Sequence, residues 1–297
     1  MKAKRRFNFW LWVLLCVPCL LASCDHDVHD GEEEGGLSVS LTWADEADQG
    51  TEVKDVKLWI FNADDGSLVE EKHYGSAQEV ASQRFQLPEG TYRILTTTNL
   101  TEPFFINEQT RALTNWNNIL IGLTNPKDVR NNAYFGVTDV KIDNKEGNYV
   151  VQNPIRSVLA ELTIIIENIP KGTEMSGKAL DAAWCLFPTQ KNSDGEYGLP
   201  SIEPTEVELP TLLATESTLK SEVIRLMPTI QGSSSSHIYL RLLLPTGTLQ
   251  EFDITAPKMN VGGKYELRFK YEEMQPKMNL DATINGWTNL NNEVETK

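Results

Sequence analysis

From Leu37 onward the chain is written in short runs that alternate apolar and polar residues, the period of a strand with one buried face. Leu37-Ser-Val-Ser-Leu-Thr-Trp43 is the first. Val53 to Phe61, rich in aliphatic and aromatic residues, is the second, and Asn62-Ala-Asp-Asp-Gly66 turns it into a third, Ser67 to His73. The Asp-Gly pair supplies the positive φ that a tight hairpin needs. Arg84 to Leu87, a Pro88-Glu-Gly90 turn and Thr91 to Thr98 continue the series. Asn115 to Gly122 fits a short helix or a strand; Ala133 to Gly136 and Val137 to Ile142 are extended, and Asn144 to Gly147 turns into Tyr149 to Gln152.

After Pro154 the run Ser157 to Asn168 is the most strongly β-branched segment, which predicts a strand buried on both faces or at a sheet centre. Further strands are predicted at Leu180–Phe187, Ser221–Met227, His237–Leu244, Leu249–Ile254, Lys264–Tyr271 and Met278–Trp287, with a turn at Gly262-Gly263 and loops over Glu206–Lys220 and Ser233–Ser236. Many short strands separated by Gly, Pro and Asp clusters predict an all-β fold of sandwich type. The expected division is a first sandwich over 37–153 and a second over 154–297.

The first 36 residues follow a different rule. Lys2, Lys4, Arg5 and Arg6 precede an apolar stretch from Phe7 to Leu21, which closes on Leu21-Ala-Ser-Cys24. A charged start, a short apolar run and a small-residue exit make a secretory signal over 1–23. The run is short for a membrane span, which needs about 20 residues. The Leu-Ala-Ser-Cys ending resembles the lipobox of bacterial lipoproteins. That resemblance implies cleavage between Ser23 and Cys24 and a lipid on the Cys24 thiol, leaving the protein attached to a membrane. Residues 24–36 are acidic and carry little to bury, so they read as a flexible tether. His26 and His29 among Asp25, Asp27 and Asp30 are metal-ligand types, but a solvated stalk accounts for them and no metal is assigned.

Charge and cysteine usage narrow the function. The 297-residue chain has a formal net charge of −15, and loss of a signal with four basic residues and no acids makes the remainder more acidic. Such a surface repels nucleic acid. Cys16 and Cys19 leave with the signal and Cys24 is modified, so Cys185 alone remains and no internal disulfide is expected. Its neighbours, Ala182-Ala-Trp-Cys-Leu-Phe187, mark it as a buried small hydrophobe rather than a nucleophile.

Catalytic signatures are missing: there is no Gly-x-Ser-x-Gly elbow, phosphate loop, His-Glu-x-x-His or Cys-x-x-Cys in the mature segment. No catalytic residue and no cofactor are assigned. His73 and His237 are the histidines outside the tether, and Asn62, Asp64 and Asp65 are oxygen ligands better explained by their turn. Trp43, Trp59 and Trp184 lie in strand patterns and are expected to fill cores, whereas Trp116 and Trp287 are free to stack on a sugar ring.

The order of these pieces resembles a known group. The lipobox, the Leu37–Trp43 strand, Val56–Val69, Leu87-Pro-Glu-Gly-Thr-Tyr-Arg-Ile94, Arg156–Ile164 and Ile284-Asn-Gly-Trp287 together are similar to the fimbrillin and FimB-type fimbrial anchor lipoproteins of Bacteroides-like bacteria. The resemblance implies two transthyretin-like, Greek-key sandwiches and a place in a pilus at the outer membrane, on the cell surface. It implies partners too: other fimbrial subunits, joined by β-strand addition, and a membrane reached through the lipid on Cys24. In the stalk subunits of that group a trypsin-like protease removes the first strand. Here no arginine occurs between Arg6 and Arg84, and Lys54 is the nearest basic residue to the first loop, hence the candidate processing site. This favours an anchor or accessory subunit. A surface glycan-binding lipoprotein is the alternative.

Overall fold

Alternation of side chains decides which strands can share a sheet, and here several strands bury both faces. We describe residues 35–106, 115–126, 129–274 and 288–289 of a computed structural model. In chain order the first strands are β1 (Gly36–Trp43), β2 (Lys54–Asn62), β3 (Leu68–Ser76), β4 (Gly90–Thr98), β5 (Phe104–Ile106), β6 (Ile121–Leu123), β7 (Tyr134–Ile142) and β8 (Asn148–Ser157). A one-turn helix, α1 (Ala77–Ala81), follows β3. Then come β9 (Ala160–Glu167), β10 (Glu174–Ala183), β11 (Cys185–Lys191), β12 (Tyr197–Pro200), β13 (Pro204–Leu213), β14 (Thr218–Lys220), β15 (Ile224–Leu226), β16 (Ser235–Leu243), β17 (Leu249–Pro257), β18 (Lys264–Lys270) and β19 (Thr288–Asn289).

Four sheets result. The first has the order β1-β8-β7-β4-β2-β3, the second β12-β11-β6-β5, the third β13-β10-β16-β17 and the fourth β14-β9-β18-β19, with β15 also on β9. On β2, Val56, Leu58 and Ile60 enter one core with Leu37, Val39 and Ile94, while Trp59 and Phe61 enter another with Leu95, Phe135 and Ile121. The first sheet is therefore covered on both faces. A third core lies between the third and fourth sheets, where Leu162, Ile164 and Ile166 of β9 meet Met175, Leu240, Leu242, Phe252 and Leu267. Strand β9 is central, with β18 parallel to it on one side and β14 and β15 antiparallel on the other.

The second sheet joins the two halves of the chain. Cys185 and Leu186 of β11 pair with Gly122 and Ile121 of β6. The core beneath combines Trp59, Phe61 and Leu95 with Leu159, Ala183, Leu186 and Met227. From Gly35 onward the chain is one compact unit, and Pro154 lies inside β8.

The all-β expectation is met, and the Asp65-Gly66 and Gly262-Gly263 turns form where predicted, with Gly66 at φ 74° and Gly262 at φ 69°. Several element boundaries differ. Arg84–Leu87 is no strand; Phe85 alone makes a bridge, to Leu37. The 180–187 run breaks at Trp184 into β10 and β11, which belong to different sheets. The long run from Ser157 also breaks, because the Ser157 hydroxyl accepts from Leu159 N at 3.1 Å and bends the chain between β8 and β9. The expected loop 206–220 contains β13 and β14. Its alternation of buried Val207 and Leu209 with Glu206 and Glu208 was masked by Pro204 and Pro210, which a sheet tolerates here because β13 is an edge strand. The predicted strand at Met278–Trp287 lies outside the described residues.

Gly177 on β10 reports how closely the third sheet packs. A Cβ there would lie 2.2 Å from the Tyr239 carbonyl oxygen on β16, a backbone atom that cannot swing away. Gly177→Ala is expected to lower stability by about 1–3 kcal/mol, measured by chemical denaturation; an unchanged midpoint would show that the sheet yields at this point.

Candidate assembly interface

The first strand occupies the most consequential position in the molecule. It runs parallel to β8 in unbroken register from Gly36↔Asn148 to Trp43↔Ile155. Leu37 and Val39 are fully buried. Its other side is only partly closed. Leu37 exchanges both backbone hydrogen bonds with Phe85, at 2.9 Å each, and the Ser38 hydroxyl donates to Ala81 O at the end of α1. Because Leu37 faces outward in the sheet plane, so do the backbone groups of Val39, Leu41 and Trp43. Among the described residues no strand pairs with them.

Edges of this kind are usually blunted by charge or proline. Strand β3 at the opposite edge carries Glu70, Glu71, Lys72 and His73, and β13 carries Pro204, Glu206, Glu208 and Pro210. Strand β1 has no charged residue at all. It is the one edge of the first sheet without such protection.

The loop leaving β1 is tied down twice. Lys264 on β18 donates to Asp45 Oδ2 at 2.9 Å and to Asp48 Oδ1 at 3.1 Å, and all three side chains are largely withdrawn from solvent. The two carboxylates respond oppositely. Burial pushes the Asp48 carboxyl up, outweighing Lys264, with Asp45 and Glu161 adding repulsion. Burial also opposes ionisation of Asp45, but the Ala47 N–H and Lys264 hold its carboxyl below the usual value. Lys264 is held above the usual lysine value by the two carboxylates, against the effect of its own burial.

Further along, Asn99 sits at φ 56°. Its Oδ1 accepts from Lys54 N at 2.7 Å and its Nδ2 donates to Glu52 O at 3.0 Å. Its own N–H donates to Lys54 O at 2.9 Å. The Lys54 ammonium is exposed beside Glu52, yet its main chain is held on both the N–H and C=O sides. Neither Lys264 nor Asn99 is marked out in the sequence, because each acts on a segment far away in the chain.

The other predicted residues fall as follows. Ser23, Cys24 and Trp287 lie outside the described residues, as does the His26–His29 tether. Trp116 is half-buried in a 3₁₀ turn, and one face of its ring is covered by the Arg93 guanidinium, 3.5 Å from the centroid. Arg93 is paired with Asp139 through Nε–Oδ1 at 2.6 Å, and the Tyr197 hydroxyl donates to the same carboxylate at 2.9 Å. Burial and this acceptor push the Tyr197 hydroxyl up to about 12. The cluster ties the first sheet to the second. Trp59 fills a core, and Trp43 packs edge-on against Tyr134. Trp184, expected in a core, is instead 43% exposed at the break between β10 and β11, beside Phe105.

Cys185 is buried, which pushes its thiol up to about 11. His237 sits on Asp181, but Ser236 points to the opposite face of β16 and bonds Thr229, so the two do not converge with a serine. Asn62 and Asp65 spend their oxygens on the Asp64 and Ser67 amides. Among the described residues there is no group of three or more His, Cys, Asp or Glu placed to hold a metal ion, and no helix long and apolar enough to cross a membrane.

In class this is a multi-sheet β protein whose uncharged first strand forms one edge of its largest sheet. The family model for fimbrillin-A associated anchor proteins Mfa1 and Mfa2 matches residues 24–293, and the chain belongs to that family. Among solved structures, the fimbrial anchor protein Mfa2 from Porphyromonas gingivalis is similar at a TM-score of 0.54 and 16% identity, covering 79% of this chain and 90% of that one. A candidate cell adhesion protein from Bacteroides eggerthii gives 0.55 at 12% identity over 86% and 94%. A candidate polysaccharide-binding protein from Bacteroides thetaiotaomicron gives 0.53 at 10% over 80% and 92%. At these identities the likeness concerns the fold. No curated protein sequence matches.

The two ties on the β1–β2 segment predict resistance to cutting after Lys54. In an Asn99→Gly/Lys264→Gln double variant, lysine-specific proteolysis that yields an Asp55 N-terminus is expected to run roughly tenfold faster, equivalent to about 1.4 kcal/mol of local opening. Equal rates for variant and parent would mean that neither tie guards the bond.

Proposed function

We propose that this chain is an anchor or accessory subunit of a pilus, held to the outer membrane at the cell surface by lipid on Cys24. It keeps its first strand and receives other subunits by β-strand addition. The observation that carries this reading is the state of β1: it is fully registered on β8, deeply buried at Leu37 and Val39, and, among the described residues, without a strand partner on its outer edge at the half-buried Leu41 and Trp43. Main-chain groups on such an edge offer affinity to an added strand, and neighbouring side-chain pockets set its register. The family match begins at Cys24, the residue that the lipobox marks. The absence of arginine near the β1–β2 loop and the tethered Lys54 backbone favour retention of the strand. On this reading the chain is organised as two sandwiches, 37–153 and 154–297, that share the second sheet, and the acidic tether spans the gap to the membrane.

Intact-mass analysis of the protein from its native surface tests this directly. The expected mass starts at a lipidated Cys24; a mass starting at Asp55 without lipid would reassign the chain to the polymerising stalk. Cys24→Ala is expected to move the protein from the membrane fraction to the soluble one with its melting transition unchanged, since each buried acyl methylene contributes about 0.8 kcal/mol. A mutant still recovered wholly with membranes would remove the lipid from the account.

A further inference from the structure

The break at Trp184 carries side chains that neither the core nor the β1 edge uses. In the second sheet Phe104, Ile106, Ile121 and Leu186 point into the core. The alternate row, Phe105↔Gly122↔Cys185, lies on the outer face. A Cβ at Gly122 would lie 2.5 Å from Phe105 Cζ, so the absence of a side chain there lets the Phe105 ring lie across β6. That ring meets Trp184 with centroids 6.3 Å apart and planes at 56°. Trp184 has no room inside, because Ala183 and Cys185 on either side of it are both buried. Its own N–H donates to Glu203 O at 3.0 Å and to Ser201 Oγ at 3.1 Å, which fixes the main chain with the indole at the surface.

Glu203 stands beside the indole. The register of β10 on β13 puts Ala183 opposite Pro204, and the Trp184–Glu203 hydrogen bond continues it by one residue. The two side chains therefore leave neighbouring main chain on the same side of the sheet. The Glu203 side chain is exposed and has no hydrogen bond or ion pair among the described residues. Its charge reaches Cys185, where it adds to the effect of burial in raising the thiol.

The same molecule holds a filled counterpart. Arg93 lies over the Trp116 ring, 3.5 Å from its centroid, and is paired with Asp139. A planar guanidinium serves both partners at once, its face on the indole and its N–H donors on the carboxylate. At Trp184 the indole and the carboxylate are present, and among the described residues no cation lies over either ring of the Trp184–Phe105 pair.

We infer that Trp184, Phe105 and Glu203 form a docking point for an arginine side chain of a partner protein. Charge selects this occupant. The formal net charge of −15 draws cations and repels a second copy of the chain. A neutral sugar would stack on the indole and leave the carboxylate unmatched, and a bare anion would be repelled by it. An added strand finds no edge here, since β6 and β11 are interior strands of their sheet. With 43% of Trp184 exposed, the indole offers about 100 Å², far below the ~800 Å² per partner of a full interface, so one side chain fills the point. The site is separate from the outer edge of β1 and requires neither strand addition nor the lipid.

The test uses the chain from Asp25 onward, isotope-labelled at tryptophan, and follows the Trp184 indole N–H resonance, assigned by its loss in Trp184→Leu. The probe is the peptide acetyl-Gly-Arg-Gly-amide. Its comparators are the same peptide with citrulline, which keeps the shape without the charge, the same peptide with lysine, and D-glucose. The arginine peptide is expected to shift the Trp184 resonance saturably, on the order of fivefold more tightly than either other peptide, and to leave the Trp116 resonance, already covered by Arg93, unmoved. Glu203→Gln, at an exposed position, is expected to weaken binding severalfold with an unchanged melting transition. No saturable shift, equal binding of the citrulline peptide, the lysine peptide or glucose, or full affinity in folded Glu203→Gln would each overturn the assignment.

Discussion

The parallel pairing of β1 with β8 is the constraint on which the N-terminal end of this molecule depends. Eight consecutive positions are in register, and a slip of one residue would turn Leu37 and Val39 out of the core and Ser38 and Ser40 into it. Burial of each of the two apolar side chains contributes about 1.5–3 kcal/mol. The same pairing leaves the outward main-chain groups of Leu41 and Trp43 without a strand partner among the described residues, and the proposed strand addition rests on that edge. On that proposal, packing and assembly use opposite sides of a single segment.

The second sheet has the equivalent role for the two halves of the chain. Its strands β5 and β6 precede Pro154 and β11 and β12 follow it, and its inner face meets Trp59 and Phe61 from the first sheet. A short sheet of this kind cannot bury its own apolar face and is stable only against a neighbour. Arg93, clasped by Asp139 and lying on Trp116, reinforces the same junction at the surface.

Charge is distributed to match. The acidic surface and the charged or proline-bearing edges at β3 and β13 discourage unplanned pairing, and the uncharged β1 is left open. Lys264 reaches across from β18 to hold the loop that follows β1, and Asn99 holds the main chain at Lys54, so the edge is presented by a strand fixed at both its exit and its flank.

How much of this was legible in the sequence follows from the range of the forces involved. Alternation, turn residues and the β-branched run at 160–167 are local, and they determined the all-β class, most strands and the centrality of β9. The signal-like segment and Leu21-Ala-Ser-Cys24 are equally local, which is why the anchor is proposed from sequence. Local pattern failed where a neighbour overruled it: at Trp184, where one apolar run serves two sheets, at β13, where an edge position makes prolines acceptable, and at Arg84–Leu87, which has only Leu37 to pair with. Tertiary structure alone decided that β1 pairs with β8 in parallel, that Lys264 meets Asp45 and Asp48, that Arg93 covers Trp116, and that Phe105 packs beside Trp184. Each of those contacts joins residues tens to hundreds of positions apart, and no periodicity within either segment records the partner that folding brings to it.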